Sequence, residues 1–230
     1  MMANRFEIEL SASLMCANLL HLGRDLDALT AAGIHRWHFD IMDGHFVPNI
    51  TMGFDLLKAV THYSSLPTDV HLMVDNPEKF VEDLVKSRAT RIYFHVESTR
   101  APHRLARTIR ELGCEPGVAI NPATPIDMLN TVLPLVDAVL FMAVDPGFAG
   151  QPLVPHIEDK VATFSQMIVS HPPLAVIVDG HIDLETARLM VNAGANGLVL
   201  GTSALFLKDT SFLEAVHRLW AALDLQGGVR

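Results

Sequence analysis

Arg36-Trp37-His38-Phe39-Asp40-Ile41-Met42 reads as a buried strand with chemistry on one face. Side chains on a strand alternate, so His38, Asp40 and Met42 point one way and Trp37, Phe39 and Ile41 the other. The apolar face suits packing against helices. The polar face is costly to bury unless its His and Asp are paired or hold a metal. Seven further short apolar runs join it: Glu7–Leu14, Thr68–Val74, Arg91–Val96, Gly117–Asn121, Ala138–Val144, Leu174–Val178 and Gly197–Leu200. The segments between them repeat apolar residues every three or four positions. Leu26, Leu29 and Ala32 do so, as do Phe80, Leu84 and Val85, and Ile157, Val161 and Phe164. Strands alternating with helices imply parallel βαβ units. Eight such units in 230 residues predict an α/β fold closed into a (β/α)₈ TIM barrel, with residues 1–230 as one domain. An open doubly wound sheet is the runner-up, but no Gly-x-Gly-x-x-Gly follows the first run.

Composition narrows the function. Half of the chain is hydrophobic and 19% is charged, which excludes a disordered chain. Lys and Arg number 17 against 26 Asp and Glu, a net charge of −9. That balance argues against nucleic acid as partner, because phosphate contacts need Lys and Arg. It equally disfavours a membrane-surface role. No run approaches the roughly 18 apolar residues of a membrane span. Met1 to Leu10 carries Arg5, Glu7 and Glu9 without an apolar core, so no signal peptide is expected. Cys16 and Cys114 are far apart and form no Cys-x-x-Cys, which points to a reducing, cytoplasmic setting. The acidity does not advertise an anionic substrate; backbone amides or a metal would have to hold one.

In a barrel of this kind the active site lies at the C-terminal ends of the strands. Polar residues crowd there: Ser13, His38, Asp40, Asp43, His71, His95, Glu97, Asn121, Asp145 and Asp179, then Gly201, Thr202 and Ser203. His38, Asp40, His71 and Asp179 would make a closed set of two nitrogen and two oxygen ligands. It suits Zn²⁺, Fe²⁺, Co²⁺ or Mn²⁺, with no thiolate to choose between them. The competing reading makes each histidine a hydrogen-bonded core residue and His38-x-Asp40 a structural pair. His21, His35, His62, His103, His156, His171 and His217 fall in predicted helices or loops and are expected in solvent. Glycine-rich turns follow the last three runs: Pro146-Gly147-Phe148-Ala149-Gly150-Gln151, Asp179-Gly180-His181 and Gly201-Thr202-Ser203. Glycine lets backbone N–H groups approach and cradle an anion. Barrels commonly bind phosphate after strands 7 and 8. Ordinary βα turns are the alternative.

These residues resemble a known family. Ser11-Ala12-Ser13-Leu14-Met15, HFDIMDGHFVPN (His38 to Asn49), His71-Leu72-Met73-Val74 and His95-Val96-Glu97 are similar to the ribulose-phosphate 3-epimerases and the related D-allulose-6-phosphate 3-epimerases. So are Val144 to Gln151, Val178-Asp179-Gly180 and Gly201-Thr202-Ser203. The resemblance runs from about Glu9 to Phe206. It implies a ribulose-phosphate-binding barrel with one divalent metal (Zn, Fe, Co or Mn) on His38, Asp40, His71 and Asp179. It implies Asp40 and Asp179 as acid/base pair and Ser13 and His71 as substrate contacts. Met42, Met73 and Met142 would line the pocket. Gly147, Phe148, Ala149, Gly150, Gly180, Gly201 and Thr202 would hold the phosphate. A phosphorylated ketose is the implied substrate and a homo-oligomer the implied assembly.

The implied chemistry is epimerisation at C3 through a metal-stabilised enediolate. It needs a base on one face, an acid on the other and a device to hold the charge. Asp145 to Gln151, Leu200 to Ser203 and Ala12 to Met15 look closer to the allulose 6-phosphate group, whose product is D-fructose 6-phosphate. Asn49-Ile50-Thr51-Met52-Gly53 looks more like the pentulose enzymes, so a strict ribulose-phosphate 3-epimerase making D-xylulose 5-phosphate is the alternative. His181 matches neither pattern and could contact the phosphate. Other classes fit less well. A Schiff-base aldolase needs a lysine inside the barrel, and Lys58, Lys79, Lys86, Lys160 and Lys208 all fall outside the runs. A related decarboxylase would carry Asp-x-Lys-x-x-Asp on a strand. A metal-dependent hydrolase would want an open metal position. A non-catalytic sugar-phosphate-binding barrel would not require both Asp40 and Asp179.

Overall fold

A computed structural model describes residues 8–224. Eight strands run parallel: β1 Glu9–Ser13, β2 Arg36–Asp43, β3 Thr68–Met73, β4 Arg91–His95, β5 Glu115–Ile120, β6 Ala138–Met142, β7 Ala175–Asp179 and β8 Gly197–Leu200. Each pairs with the next, and β1 pairs with both β2 and β8, so the sheet closes on itself. The expected runs match these strands with ends shifted by a residue or two; the expected start at Glu7 lies outside the described residues. Seven helices alternate with the strands: α1 Leu22–Ala31, α2 Phe54–Tyr63, α3 Val81–Lys86, α4 Pro102–Glu111, α5 Ile157–Met167, α6 Leu184–Asn192 and α7 Phe212–Asp224.

Two features depart from the regular rhythm. After β5 no α-helix forms, and the connection carries two short 3₁₀ turns, Ile126–Leu129 and Leu133–Leu135. Pro122, Pro125 and Pro134 account for this, since proline removes a helical donor and clashes with the preceding turn. After β2 a two-residue strand, Ile50–Thr51, folds back antiparallel onto Met42 and Asp43. Thr51 Oγ1 donates to the Asp40 carbonyl at 2.7 Å, which ties this flap to the strand below it.

Strand alternation divides the interior from the helix layer. Trp37, Phe39, Val70, Leu72, Ile92, Phe94, Val118 and Phe141 face outward and are fully buried. Leu26 and Leu29 of α1, Leu84 of α3, and Ile157, Val161 and Phe164 of α5 pack over this surface, as their spacing required. Phe80 and Val85 are only partly buried against it.

The barrel interior is layered. At the N-terminal end, Arg36 meets Asp69 at 2.6 Å and Glu9 at 2.8 Å, and Arg91 meets Glu115 at 2.8 Å and Glu9 at 3.0 Å. Above lies an apolar plug that includes Tyr93, Leu140, Ile177 and Val199. Gly117 makes room for it, because a Cβ there would sit 2.4 Å from the Tyr93 ring. At the C-terminal end the register sets Ser13 beside His38, Asp40 beside His71, Met42 beside Met73, and Met142 beside Asp179. No helix among the described residues is long and apolar enough to cross a membrane, and Cys16 and Cys114 are free thiols.

Candidate active site

His38, Asp40, His71 and Asp179 converge at the C-terminal mouth, each offering a ligand atom within 4.8 Å of the others. His38 Nε2 lies 3.5 Å from Asp40 Oδ1 and 3.7 Å from Asp179 Oδ2. His71 Nδ1 lies 3.2 Å from Asp40 Oδ1 and 3.7 Å from Asp179 Oδ2. A tetrahedron of ~2.05 Å metal–ligand bonds has edges of about 3.3 Å, close to all four separations. Both His38 ring nitrogens are buried and lack a hydrogen-bond partner. An unpartnered imidazole nitrogen aimed at two carboxylates and a second imidazole fits a divalent cation far better than a structural pair. The four residues are therefore a donor set able to hold a metal.

The two carboxylates differ in ionisation. Burial alone would raise both. At Asp40 the charge of His38, then the hydrogen bond and charge of His71, outweigh burial and hold the carboxyl far below the usual range. Ser13 Oγ also donates to Asp40 Oδ2 at 2.9 Å. At Asp179 burial prevails over the charge of His38, and the negative charge of Asp40 adds to it, so this carboxyl is raised to about 7. His38 is pushed up as well. Its charged form is disfavoured by burial, but Asp40 first and Asp179 next raise it to about 9. Burial lowers His71 to about 4, which leaves it a neutral imidazole at neutral pH.

One cavity collects the expected substrate residues. Ser13, Asp40, Met42, Met73, Met142, Gly147, Phe148, Ala149, Gly150, Asp179, Gly180, His181, Gly201 and Thr202 all line it. His38 and His71 lie fully buried beneath. Met42, Met73 and Val47 form one apolar cluster, with Met15 and Phe46 packed against it. The three glycine-rich turns meet above Asp179. Gly180 has φ +107, and a Cβ there would come within 2.6 Å of Val144 Cγ2, so glycine is required. His181 Nδ1 donates to the Gln151 carbonyl at 2.8 Å and ties the second turn to the first. Asn49 Nδ2 donates to the Gly147 carbonyl at 2.7 Å, which links the flap after β2 to the same turn.

Some expected polar residues do not reach the cavity. Asp43 Oδ1 accepts from the His45 and Phe46 N–H groups and its Oδ2 accepts from the Asp75 N–H, so it caps the β2 turn. Asp145 is exposed. His35, expected in solvent, accepts from the Leu10 N–H at its Nδ1 although it is otherwise exposed. Met15 joins the methionine cluster from a 3₁₀ turn past the end of β1, outside the strand alternation. The histidines of β3 and β4 meet across the two strands, which no single run encodes. His71 Nε2 and His95 Nε2 are 2.8 Å apart, and His95 Nδ1 is 3.2 Å from Glu97 Oε2. Among the five lysines Lys160 is the one tied closely to this end. Its ammonium donates to the Asn121, Pro122 and Thr124 carbonyls at 2.6–3.0 Å, outside the barrel strands.

Comparison with known proteins agrees with this geometry. The family model for the ribulose-phosphate 3 epimerase family matches residues 9–206. A ribulose-phosphate 3-epimerase of Methanocaldococcus jannaschii is 42% identical over 94% of this chain and 92% of its own. One from Treponema pallidum is 40% identical over 88% and 96%, and one from Synechocystis is 41% identical over 91% of each. Among solved structures, the tryptophan synthase alpha-subunit of Pyrococcus furiosus superposes with a TM-score of 0.65 at 16% identity, covering 97% of this chain and 98% of its own. A thiamine phosphate pyrophosphorylase of the same organism gives 0.63 at 12%, covering 96% and 97%. At those identities the likeness is one of fold alone. With the barrel, the two-histidine, two-carboxylate cluster and the sequence matches together, the chain belongs to the ribulose-phosphate 3-epimerase family, isomerases that act on phosphorylated sugars.

Proposed function

We propose that the chain interconverts D-ribulose 5-phosphate and D-xylulose 5-phosphate by moving a proton at C3. The observation that carries the reaction is the meeting of two carboxylates, Asp40 of β2 and Asp179 of β7, in one cluster at the mouth of the barrel. In this reading Asp40, fixed by Ser13 Oγ, takes the C3 proton of the ribulose epimer. Asp179 delivers a proton to the opposite face. Each transfer contributes about 10²–10⁴-fold. His38, Asp40, His71 and Asp179 hold the divalent cation, which supplies Lewis-acid stabilisation of charge developing on the substrate oxygens. Met42, Met73 and Met142 pack against the planar intermediate without offering it a base, and keep water from its faces. Backbone amides of Gly147 to Gly150, Gly180, Gly201 and Thr202 receive the phosphate, which a chain of net charge −9 needs no lysine to do.

The choice of a pentulose departs from the leaning of three motifs toward D-allulose 6-phosphate. Relatives at 40–42% identity over most of the chain bear the ribulose-phosphate name. The pentulose-like segment from Asn49 to Gly53 also touches the phosphate turn directly, through Asn49 and Gly147. A retained pair of acid/base carboxylates argues against a merely binding barrel. The metal is Zn, Fe, Co or Mn on its ligands alone. A homo-oligomer and a cytoplasmic setting belong to the same proposal. Steady-state kinetics on D-ribulose 5-phosphate and D-allulose 6-phosphate test it: a higher kcat/KM on the pentulose is expected, and preference for the hexulose would reverse the assignment.

A further inference from the structure

A histidine that ligates a metal must present a bare ring nitrogen, and the proton on its other nitrogen needs an acceptor. His71 faces the cluster with Nδ1, so its proton belongs on Nε2. Usually a carboxylate or a carbonyl accepts it. Here the neighbour is a second imidazole, His95, with Nε2 facing Nε2 at 2.8 Å. Both rings are fully buried. Their planes are 27° apart and their centroids 5.0 Å apart, so the rings meet edge to edge along the hydrogen bond.

An imidazole is ambivalent: either nitrogen can carry the proton. If His95 were protonated on Nε2, it would drive the His71 proton to Nδ1, the nitrogen that faces the cluster. Something must fix His95, and Glu97 is built to do it. Its Oε2 is 3.2 Å from His95 Nδ1, and its Oε1 accepts from the Asn121 N–H at 2.9 Å. A carboxylate can only accept. The Asn121 to Thr124 turn is in turn held by three carbonyl contacts from Lys160 of α5.

We infer that Glu97 and His95 form a tautomer relay, a pair of positioning residues that place the His95 proton on Nδ1 and the His71 proton on Nε2, and so keep His71 Nδ1 free for the metal. The inference rests on the proposed role of His71 as a ligand. It adds that the ligand's readiness is set two residues away, outside the donor set.

The test reads protons and metal affinity rather than turnover. In the full-length, ¹⁵N-histidine-labelled protein, long-range ¹H–¹⁵N NMR is expected to find His95 protonated on Nδ1 and His71 on Nε2. His95 protonated on Nε2 overturns the relay without any variant. Zn²⁺ affinity is then measured by chelator competition. Glu97→Gln and Glu97→Ala both remove the charge. Gln sets either an amide N–H against His95 or one against the Asn121 N–H, whereas Ala admits water, which accepts from both. Zn²⁺ should bind Glu97→Gln about 10–100-fold more weakly than wild type and more weakly than Glu97→Ala. Equal affinity in Gln and wild type, or in Gln and Ala, overturns the relay. His71→Ala serves as the separate check: if it bound Zn²⁺ like wild type, the metal reading itself would fail.

Discussion

Asp40 and Asp179 come from β2 and β7, on different sides of the barrel, yet offer oxygens to the same 4.8 Å cluster. Their environments drive them apart: Asp40 is held ionised by His38, and Asp179 is raised to about 7 by burial. Without a cation, carboxyls driven so far apart in one cavity mark a functional site.

Removing either carboxylate should therefore stop turnover. Asp40→Asn and Asp179→Asn are each expected to lose at least the roughly 10²–10⁴-fold of one proton transfer. Each also removes a metal ligand, so Zn²⁺ content is measured beside the rate. Near-wild-type kcat in either variant would refute the two-base assignment.

Metal binding should be linked to protons. A cation needs His38 neutral and Asp179 ionised, whereas without a cation they titrate at about 9 and about 7. Above pH 9 binding displaces no proton from this pair; between 7 and 9 it displaces one, from His38; below 7 it displaces two. Affinity thus falls as pH falls, by about tenfold per unit between 9 and 7 and about a hundredfold per unit below 7. Calorimetry with Zn²⁺ at several pH values checks this, and a flat profile from 6 to 9 would contradict it.

Gly180→Ala should damage binding and stability together. It places a side chain at φ +107 and within 2.6 Å of Val144. The strain costs about 1–3 kcal/mol and is relieved by shifting the turn that follows Asp179. A raised KM for the phosphorylated substrate and a lowered urea midpoint are expected. Unchanged KM would argue against the phosphate-turn role.

The far end of the barrel should matter for stability alone. Arg36→Met leaves the fully buried Asp69 with only the 3.5 Å contact to Arg91. Removing one partner of a buried pair costs about 3–5 kcal/mol. A second change, Asp69→Asn, removes the stranded charge, so the double variant should cost less than the two single costs added. Urea denaturation of the two single variants and the double one measures this coupling.

Much of this was legible in the chain. Apolar runs and alternation located all eight barrel strands, and i, i+2 spacing put His38, Asp40 and Met42 on one face. Strand ends were less legible. The fifth run is expected to begin at Gly117, yet β5 begins at Glu115 with Pro116 inside it, its carbonyl accepting from the Asp137 N–H at 2.8 Å; proline, lacking a ladder donor, gives no strand signal. The flap strand Ile50–Thr51 is too short to leave a periodic signal. The meeting of His71 with His95 was hidden for another reason. Each histidine is visible on its own strand, but which ring edges face each other depends on the register and rotamers of β3 and β4, which a single run does not encode.

Proton NMR in D₂O reaches the chemistry itself. Metal-loaded protein mixed with D-ribulose 5-phosphate should place deuterium at C3 and build up the xylulose epimer, and a chelator should stop both. Loss of neither signal with chelator would contradict the metal's part. No exchange at C3 with metal restored would contradict proton transfer between Asp40 and Asp179.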